Sequence, residues 1–316
     1  MSRYTLLADI GGTNTRVALS EDGRLLAQSI RRYANAGQPA LEPILRSYLA
    51  EAGVAPEGAC VAAAGPVRDG VATMTNLDWV IEGGSVSEAT GARRVAVLND
   101  LQAQGHALGR IEPGMLREIA PGRAALPGVS QLVVGIGTGF NAAPVHEAPG
   151  GRIVSPSEGG HVTLPVASEA DMRLSRFVAR EHGFASVEDV LSGRGVAHVH
   201  TFVCDQAGAG TPLDAAGVMA ALSADDPLAR ETARIFVRVM GAVIGDLALT
   251  HLPFGGIYLI GGVSRAFAPL LAEFGFTEAF RAKGRFADFM DAFPIRLIED
   301  DYAALLGCAA YMTARE

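Results

Sequence analysis

Short apolar runs alternate with polar stretches along this chain, and their spacing switches between the period of a strand and that of a helix. Residues 6–8 and 17–19 are apolar and flank Asp9-Ile10-Gly11-Gly12-Thr13-Asn14-Thr15-Arg16, a layout that predicts strand, glycine turn and strand. Residues 25–30 read as a third strand and 40–52 as a helix, while 59–64 and 95–98 have the length and composition of buried strands. A helix is expected to begin at Asn99 or Asp100, with apolar positions at Leu101, Ala103, Ala107 and Leu108. Such alternation predicts an α/β layer fold. Residues 112–130 are rich in Pro and Gly without a clear period, and read as the passage from a first domain to a second.

Beyond that passage the opening pattern returns. The apolar run Gln131–Ile136 leads into Gly137-Thr138-Gly139-Phe140-Asn141 and a further apolar segment at 142–145, so strand, glycine turn and strand occur twice. That repetition implies a duplicated architecture. Helices are expected at Glu169–His182, Ala215–Ser223 and 227–252, followed by an apolar strand Ile257–Ile260 that ends in Gly261-Gly262-Val263, and a helix from about Ser264. The last helix, 302–314, carries Ala303, Ala304, Gly307 and Ala310, small residues that allow close helix packing.

Composition narrows the function classes. A chain of 316 residues, 49% hydrophobic and 19% charged, can bury the cores of two domains. Its net charge of −8 argues against nucleic-acid and anionic-membrane partners. The segment 237–252 contains Asp246 and His251 and falls short of a membrane span. Cys60, Cys204 and Cys308 are far apart and set in apolar sequence, which predicts buried free thiols in a reducing cytoplasm rather than disulfides or a zinc site. No signal peptide is expected, because Asp9 and the glycines break the first apolar run.

The candidate chemistry lies in the turns. Gly11 and Gly12 have no Cβ and can take positive φ, so a phosphate could approach their backbone N–H groups, with Thr13 and Asn14 as further donors. Asp9 would place a carboxylate where a hydrated Mg²⁺ bridging nucleotide phosphates needs an anchor. An ordinary β-hairpin explains the same residues. No P-loop motif occurs, and Gly135-Ile136-Gly137-Thr138-Gly139-Phe140 has Phe where a dinucleotide fingerprint needs its third glycine. Asp100 is a candidate proton acceptor, or simply a helix cap. Asn99 beside it can both donate and accept. Glu158 and His161 flank Gly159-Gly160 and could converge on neighbouring sugar hydroxyls, or form a metal half-site or a surface loop. Glu188-Asp189 could equally be a solvated helix start. His198 and His200 read as surface or helix-packing residues.

Taken together and in order, these segments resemble the bacterial glucokinase family of the sugar-kinase, Hsp70 and actin ATPase superfamily. Asp9-Ile10-Gly11-Gly12-Thr13-Asn14 resembles the first phosphate motif and Gly137-Thr138-Gly139 the second, while residues 255–263, including Gly261 and Gly262, resemble the adenosine motif. Leu98-Asn99-Asp100 is similar to the segment with the catalytic aspartate. Ser157-Glu158-Gly159-Gly160-His161-Val162 is similar to the sugar-binding sequence, and Glu188 matches the remaining sugar-binding glutamate. Met74-Thr75-Asn76-Leu77-Asp78-Trp79 resembles a segment near the family's cleft, although a core Trp is an equal reading of Trp79. Two departures from the pattern stand out: Phe140-Asn141 follows the second phosphate motif where a small glycine-rich run is usual, with Asn141 expected to take a left-handed conformation, and Arg194 stands where proline is common.

The resemblance implies a two-domain ribonuclease-H-like, actin-type ATPase fold. It has a small α/β domain (1–110 plus 300–316), a larger α+β domain (111–299) and a cleft between them that closes on the sugar. It implies a cytoplasmic, homodimeric enzyme that binds ATP, Mg²⁺ and glucose. In that reading Asp100 is the base for the 6-hydroxyl, and Asn99, Asp100, Glu158, His161 and Glu188 bind the sugar. Asp9, Gly11, Gly12, Thr13, Asn14, Gly137, Thr138, Gly139, Gly261 and Gly262 serve the nucleotide. The alternatives are a kinase of another hexose or an N-acetylhexosamine, and a non-catalytic sugar sensor. The presence of Asp100, and a first strand starting near Tyr4, weigh against the sensor.

Overall fold

The structure, a computed structural model, describes residues 3–74, 77–124 and 126–315. Thr75 and Asn76 of the segment before Trp79 lie outside the described residues. The chain divides into two units, one of residues 1–115, 147–156 and 300–316, the other of residues 116–146 and 157–299.

In chain order the first unit holds β1 (Tyr4–Ile10), β2 (Asn14–Glu21), β3 (Arg24–Leu25), β4 (Arg31–Ala34), α1 (Glu42–Ala52), β5 (Gly58–Ala63), β6 (Val67–Arg68), β7 (Val71–Thr73), β8 (Val80–Glu82), α2 (Gly83–Thr90), β9 (Arg94–Asn99) and α3 (Asp100–Ala107). β1 pairs antiparallel with β2 and parallel with β5, and β5 pairs parallel with β9. Side chains alternate across this sheet with period two. Leu6, Ala8 and Ile10 face a core with Leu45, Tyr48 and Trp79, whereas Leu7, Cys60 and Leu98 face the C-terminal helix Ala303–Thr313. That helix also meets α3, where a Cβ on Gly307 would stand 1.7 Å from the Ala103 carbonyl oxygen. Only a glycine permits so close an approach.

The second unit holds β10 (Leu116–Ala120), β11 (Gln131–Ile136), most of β12 (Phe140–Ala148), then α4 (Glu169–His182), α5 (Gly193–Ala207), α6 (Ala215–Ser223), α7 (Pro227–His251), β14 (Ile257–Ile260), α8 (Gly262–Phe267), α9 (Phe276–Arg281) and β15 (Ile295–Ile298); β13 (Gly151–Val154) is counted with the first unit. β11 pairs antiparallel with β12 and parallel with β14, and β14 pairs parallel with β15. The order β12-β11-β14-β15 therefore repeats β2-β1-β5-β9 of the first unit. Each unit is an antiparallel hairpin extended by two parallel strands. Helix α7 fills the second core through Phe236, Val237, Met240 and Ile244, and Phe236 stacks on Phe267 at 4.3 Å between ring centroids.

Three local expectations change. Residues 25–30 form the short β3 and a 3₁₀ turn at Ala27–Ser29, because the Ser29 hydroxyl accepts the Leu19 N–H at 2.9 Å and thereby takes a bond a strand carbonyl would otherwise make. The pairing resumes at β4, which adds to β2. Residues 112–130 contain a 3₁₀ turn and β10, antiparallel to β15. Asn141 lies in β12 opposite Gly135 and is not among the residues with positive φ. Trp79 is 6% exposed in the first core. All three cysteines are free and buried, and His200, 2% exposed, accepts the Leu213 N–H at 3.2 Å. No helix among the described residues is long and apolar enough to cross a membrane.

Candidate active site

In the first unit the predicted residues lie at the C-terminal ends of β1 and β9. The hairpin register sets Asp9 opposite Arg16, and Arg16 Nη1 reaches Asp9 Oδ2 at 2.9 Å. Burial pushes the Asp9 carboxyl up, and Arg16 pulls it partly back. Arg16 was not singled out from the sequence, although period two across a four-residue turn makes it the partner of Asp9. The turn itself is braced by Asn35, which no local pattern marks. Asn35 N donates to Thr13 O at 2.9 Å, Asn35 Nδ2 to Gly11 O at 2.8 Å, and Asn35 Oδ1 accepts from Thr15 Oγ1 at 2.8 Å. Gly11 does not use positive φ. Thr13 is exposed at the tip, its hydroxyl oxygen accepting from Asn14 Nδ2 at 2.9 Å.

Asn99 is the N-cap of α3. Its Oδ1 accepts the Leu101 N–H at 3.0 Å, Gln102 Oε1 accepts the Asn99 N–H at 3.2 Å, and Asn99 Nδ2 donates to Gly65 O at 3.0 Å. With Asn99 doing the capping, Asp100 begins the helix and its Oδ1 also accepts from Leu101 N, at 2.8 Å. Asp100 is pushed from the ordinary 3.8 to about 6, chiefly by burial and then by the negative charge of Asp9, against the hydrogen bonds that favour its ionised form. Asp9 lies near the end of β1 and Asp100 directly after β9, strands on either side of β5 in one sheet, and carboxylates are the oxygen donors that suit a hydrated divalent cation.

In the second unit the predicted residues are tied into one cluster. The turn Gly137–Gly139 joins β11 to β12, and Gly137 N donates to Gly139 O at 2.9 Å. Glu188 closes on this turn, its Oε2 accepting the Phe140 N–H at 2.9 Å and its Oε1 accepting from Arg194 Nη2 at 3.2 Å. A Cβ on Gly139 would stand 2.4 Å from Glu188 Oε2, and one on Gly160 would stand 2.2 Å from Phe140 O. The two glycines let the loops touch. Glu188 N donates to Gly160 O at 2.9 Å, and Gly193 N to Gly137 O at 2.8 Å. Gly261 has φ 104° and fits where a Cβ would be 2.3 Å from Ile136 O. A Cβ on Gly137 would lie 4.0 Å from Gly262 N, so these two turns are neighbours. Glu158 and His161 are exposed, with His161 Nε2 4.0 Å from Glu158 Oε2. Thr138 is exposed at its turn. A separate cavity of about 1110 Å³, with Leu174, Phe202, Ile235 and Phe274 in its wall, contains none of the predicted residues.

The comparisons agree over the full length. The glucokinase family model matches residues 6–315. The chain belongs to the glucokinase family. A glucokinase of Stenotrophomonas maltophilia strain K279a is 34% identical over 324 residues, covering 100% of this chain and 96% of the relative. One of Caulobacter sp. strain K31 is 33% identical over 312 residues, covering 98% and 94%. The crystal structure of glucokinase from an Antarctic psychrotroph matches with a TM-score of 0.86 at 30% identity, covering 98% of each chain. The fold is accordingly that of the actin-like sugar kinases, and membership in the glucokinase family makes the activity ATP-dependent phosphorylation of glucose.

Proposed function

We propose that Asp100 is the general base that takes the proton from the 6-hydroxyl of glucose as the γ-phosphoryl group of ATP is transferred. The observation that carries this reading is the pairing of Asp100 with Asn99 at the start of α3. Asn99 caps the helix and shares the Leu101 N–H with Asp100 Oδ1, while burial and Asp9 raise the basicity of Asp100. With a pKa of about 6 Asp100 is roughly nine-tenths ionised at neutral pH and accepts a proton more readily than an ordinary aspartate. Phosphoryl transfer passes through a loose transition state, so alignment and charge neutralisation supply most of the acceleration. In this reading Asn99, Asp100, Glu158, His161 and Glu188 bind the sugar hydroxyls. The turns 11–14 and 137–139 hold the ATP phosphates, and Gly261 and Gly262 make room for the nucleoside.

Mg²⁺, held by Asp9 through water, would supply neutralisation of the phosphate charge. The Arg16 hydrogen bond falls on Asp9 Oδ2. The two compact units correspond to the small and large domains of the family's kinases, and the chain acts in the cytoplasm as a homodimer, for which sedimentation should give about twice the 32.8 kDa chain mass. The test of the substrate is a coupled assay across a panel of sugars with ATP. Glucose is expected to give the highest kcat/KM, and a preference for mannose, fructose or an N-acetylated hexosamine would overturn it.

A further inference from the structure

The loop 157–161 has few contacts of its own, since Glu158 and His161 are exposed and the 3₁₀ turn Gly159–His161 spans three residues. It is fixed from outside by one side chain. Asn141 Nδ2 donates to Ser157 O at 2.6 Å, and Asn141 Oδ1 accepts the Gly159 N–H at 2.9 Å and the Ala142 N–H at 2.8 Å. Those bonds fall on the residues immediately before and after Glu158. The amide's orientation is set by its partners, because its oxygen meets two N–H groups and its nitrogen meets a carbonyl. Ser157 reinforces the clasp, with its Oγ 3.0 Å from Asn141 Oδ1 and donating to Ala142 O. On the other side of the loop, Gly160 is held by Glu188 N and packs on Phe140 O. Glu158 is therefore carried on a loop whose first part is anchored to Asn141 and Ala142 of β12, directly after the turn 137–139, and whose second part is held by Glu188 N.

We infer that Asn141 is a positioning residue for glucose: it clamps the backbone on both sides of Glu158 and so presets that carboxylate for the sugar hydroxyls. The inference rests on the assignment of Glu158 to sugar binding. Without the clamp the loop must be ordered by the sugar itself, and that cost appears as lost affinity. The bonds run to the sugar loop and not to the turn 137–139, so the loss should fall on glucose and spare ATP.

Calorimetric titration with glucose, and steady-state kinetics in both substrates, test this on the intact protein. Asn141→Ala is expected to weaken glucose binding at least about fivefold while changing the KM for ATP by less than about twofold. The near-isosteric Asn141→Asp keeps both N–H acceptors and sets a carboxylate oxygen against Ser157 O, so glucose binding should weaken at neutral pH. As the pH falls and that carboxyl regains a donor proton, its deficit relative to the wild type should narrow. A role confined to folding would not give that pH-dependent recovery. If Asn141→Ala fails to fold, Asn141→Asp alone decides. Glucose affinity that changes less than fivefold in Asn141→Ala, or a deficit in Asn141→Asp that is absent or insensitive to pH, in a preparation whose wild type phosphorylates glucose, would overturn the role of Asn141 alone. A wild type that neither binds nor phosphorylates glucose would overturn the functional assignment and this inference together.

Discussion

The two units repeat one strand order, yet the candidate site residues within each are held by different physics. In the first, the decisive groups are charges: Arg16 pairs with Asp9, the charge of Asp9 is felt at Asp100, and burial raises both carboxyls. In the second, the decisive features are backbone bonds and missing Cβ atoms, with Gly160 and Gly261 so close to backbone oxygens that no larger residue is tolerated, and Gly139 close to the Glu188 carboxylate. In the proposed reading the first set handles a proton and the second holds shape. Duplication of a scaffold thus need not duplicate its chemistry.

That contrast can be broken from either side. Asp100→Asn should lower kcat by about 10²–10⁴-fold, the usual worth of a general base, while calorimetry still finds glucose binding. Ionising Asp100 in the folded state costs stability as pH rises through the window from 3.8 to about 6. The same variant should therefore melt higher than the wild type at pH 7.5. Losing activity while gaining stability is the signature expected of the charged half. In the other half, Gly160→Ala must push the loop from Phe140 O and should destabilise by about 1–3 kcal/mol, as overpacking does, with glucose binding lost alongside; thermal melts and calorimetry report both. The smallest effect is expected for Arg194→Ala. Its guanidinium is 70% exposed, so removal should change stability by no more than about 0.5 kcal/mol in denaturant unfolding.

Much of this was legible in the sequence because it depends on local pattern. β11, α4, α6 and β14 have the bounds that their local pattern predicts, and the cap of α3 falls on Asn99, one of the two residues the pattern allows. What escaped depends on contacts between distant segments, or on weak local signals. Helix α5 opens with Gly193-Arg194-Gly195, which hides its start, although Ser192 caps it and Val196, Val199, Phe202 and Val203 keep the helical period. Asn35 and Asn141 act through bonds to residues more than a dozen positions away, and no periodicity marks such residues. The raised pKa of Asp100 likewise comes first from its burial and then from the charge of Asp9, both set by the folded chain. From sequence alone Asp100 is an ordinary acid.

The account stands most directly on the pH dependence of kcat/KM for glucose in the wild-type enzyme. Protonation removes the base, so the rate should hold from pH 8 to 7 and then fall with a midpoint near the Asp100 value of about 6, approaching tenfold per pH unit below it. A profile that stays flat down to pH 5 would contradict the assignment of proton transfer to Asp100.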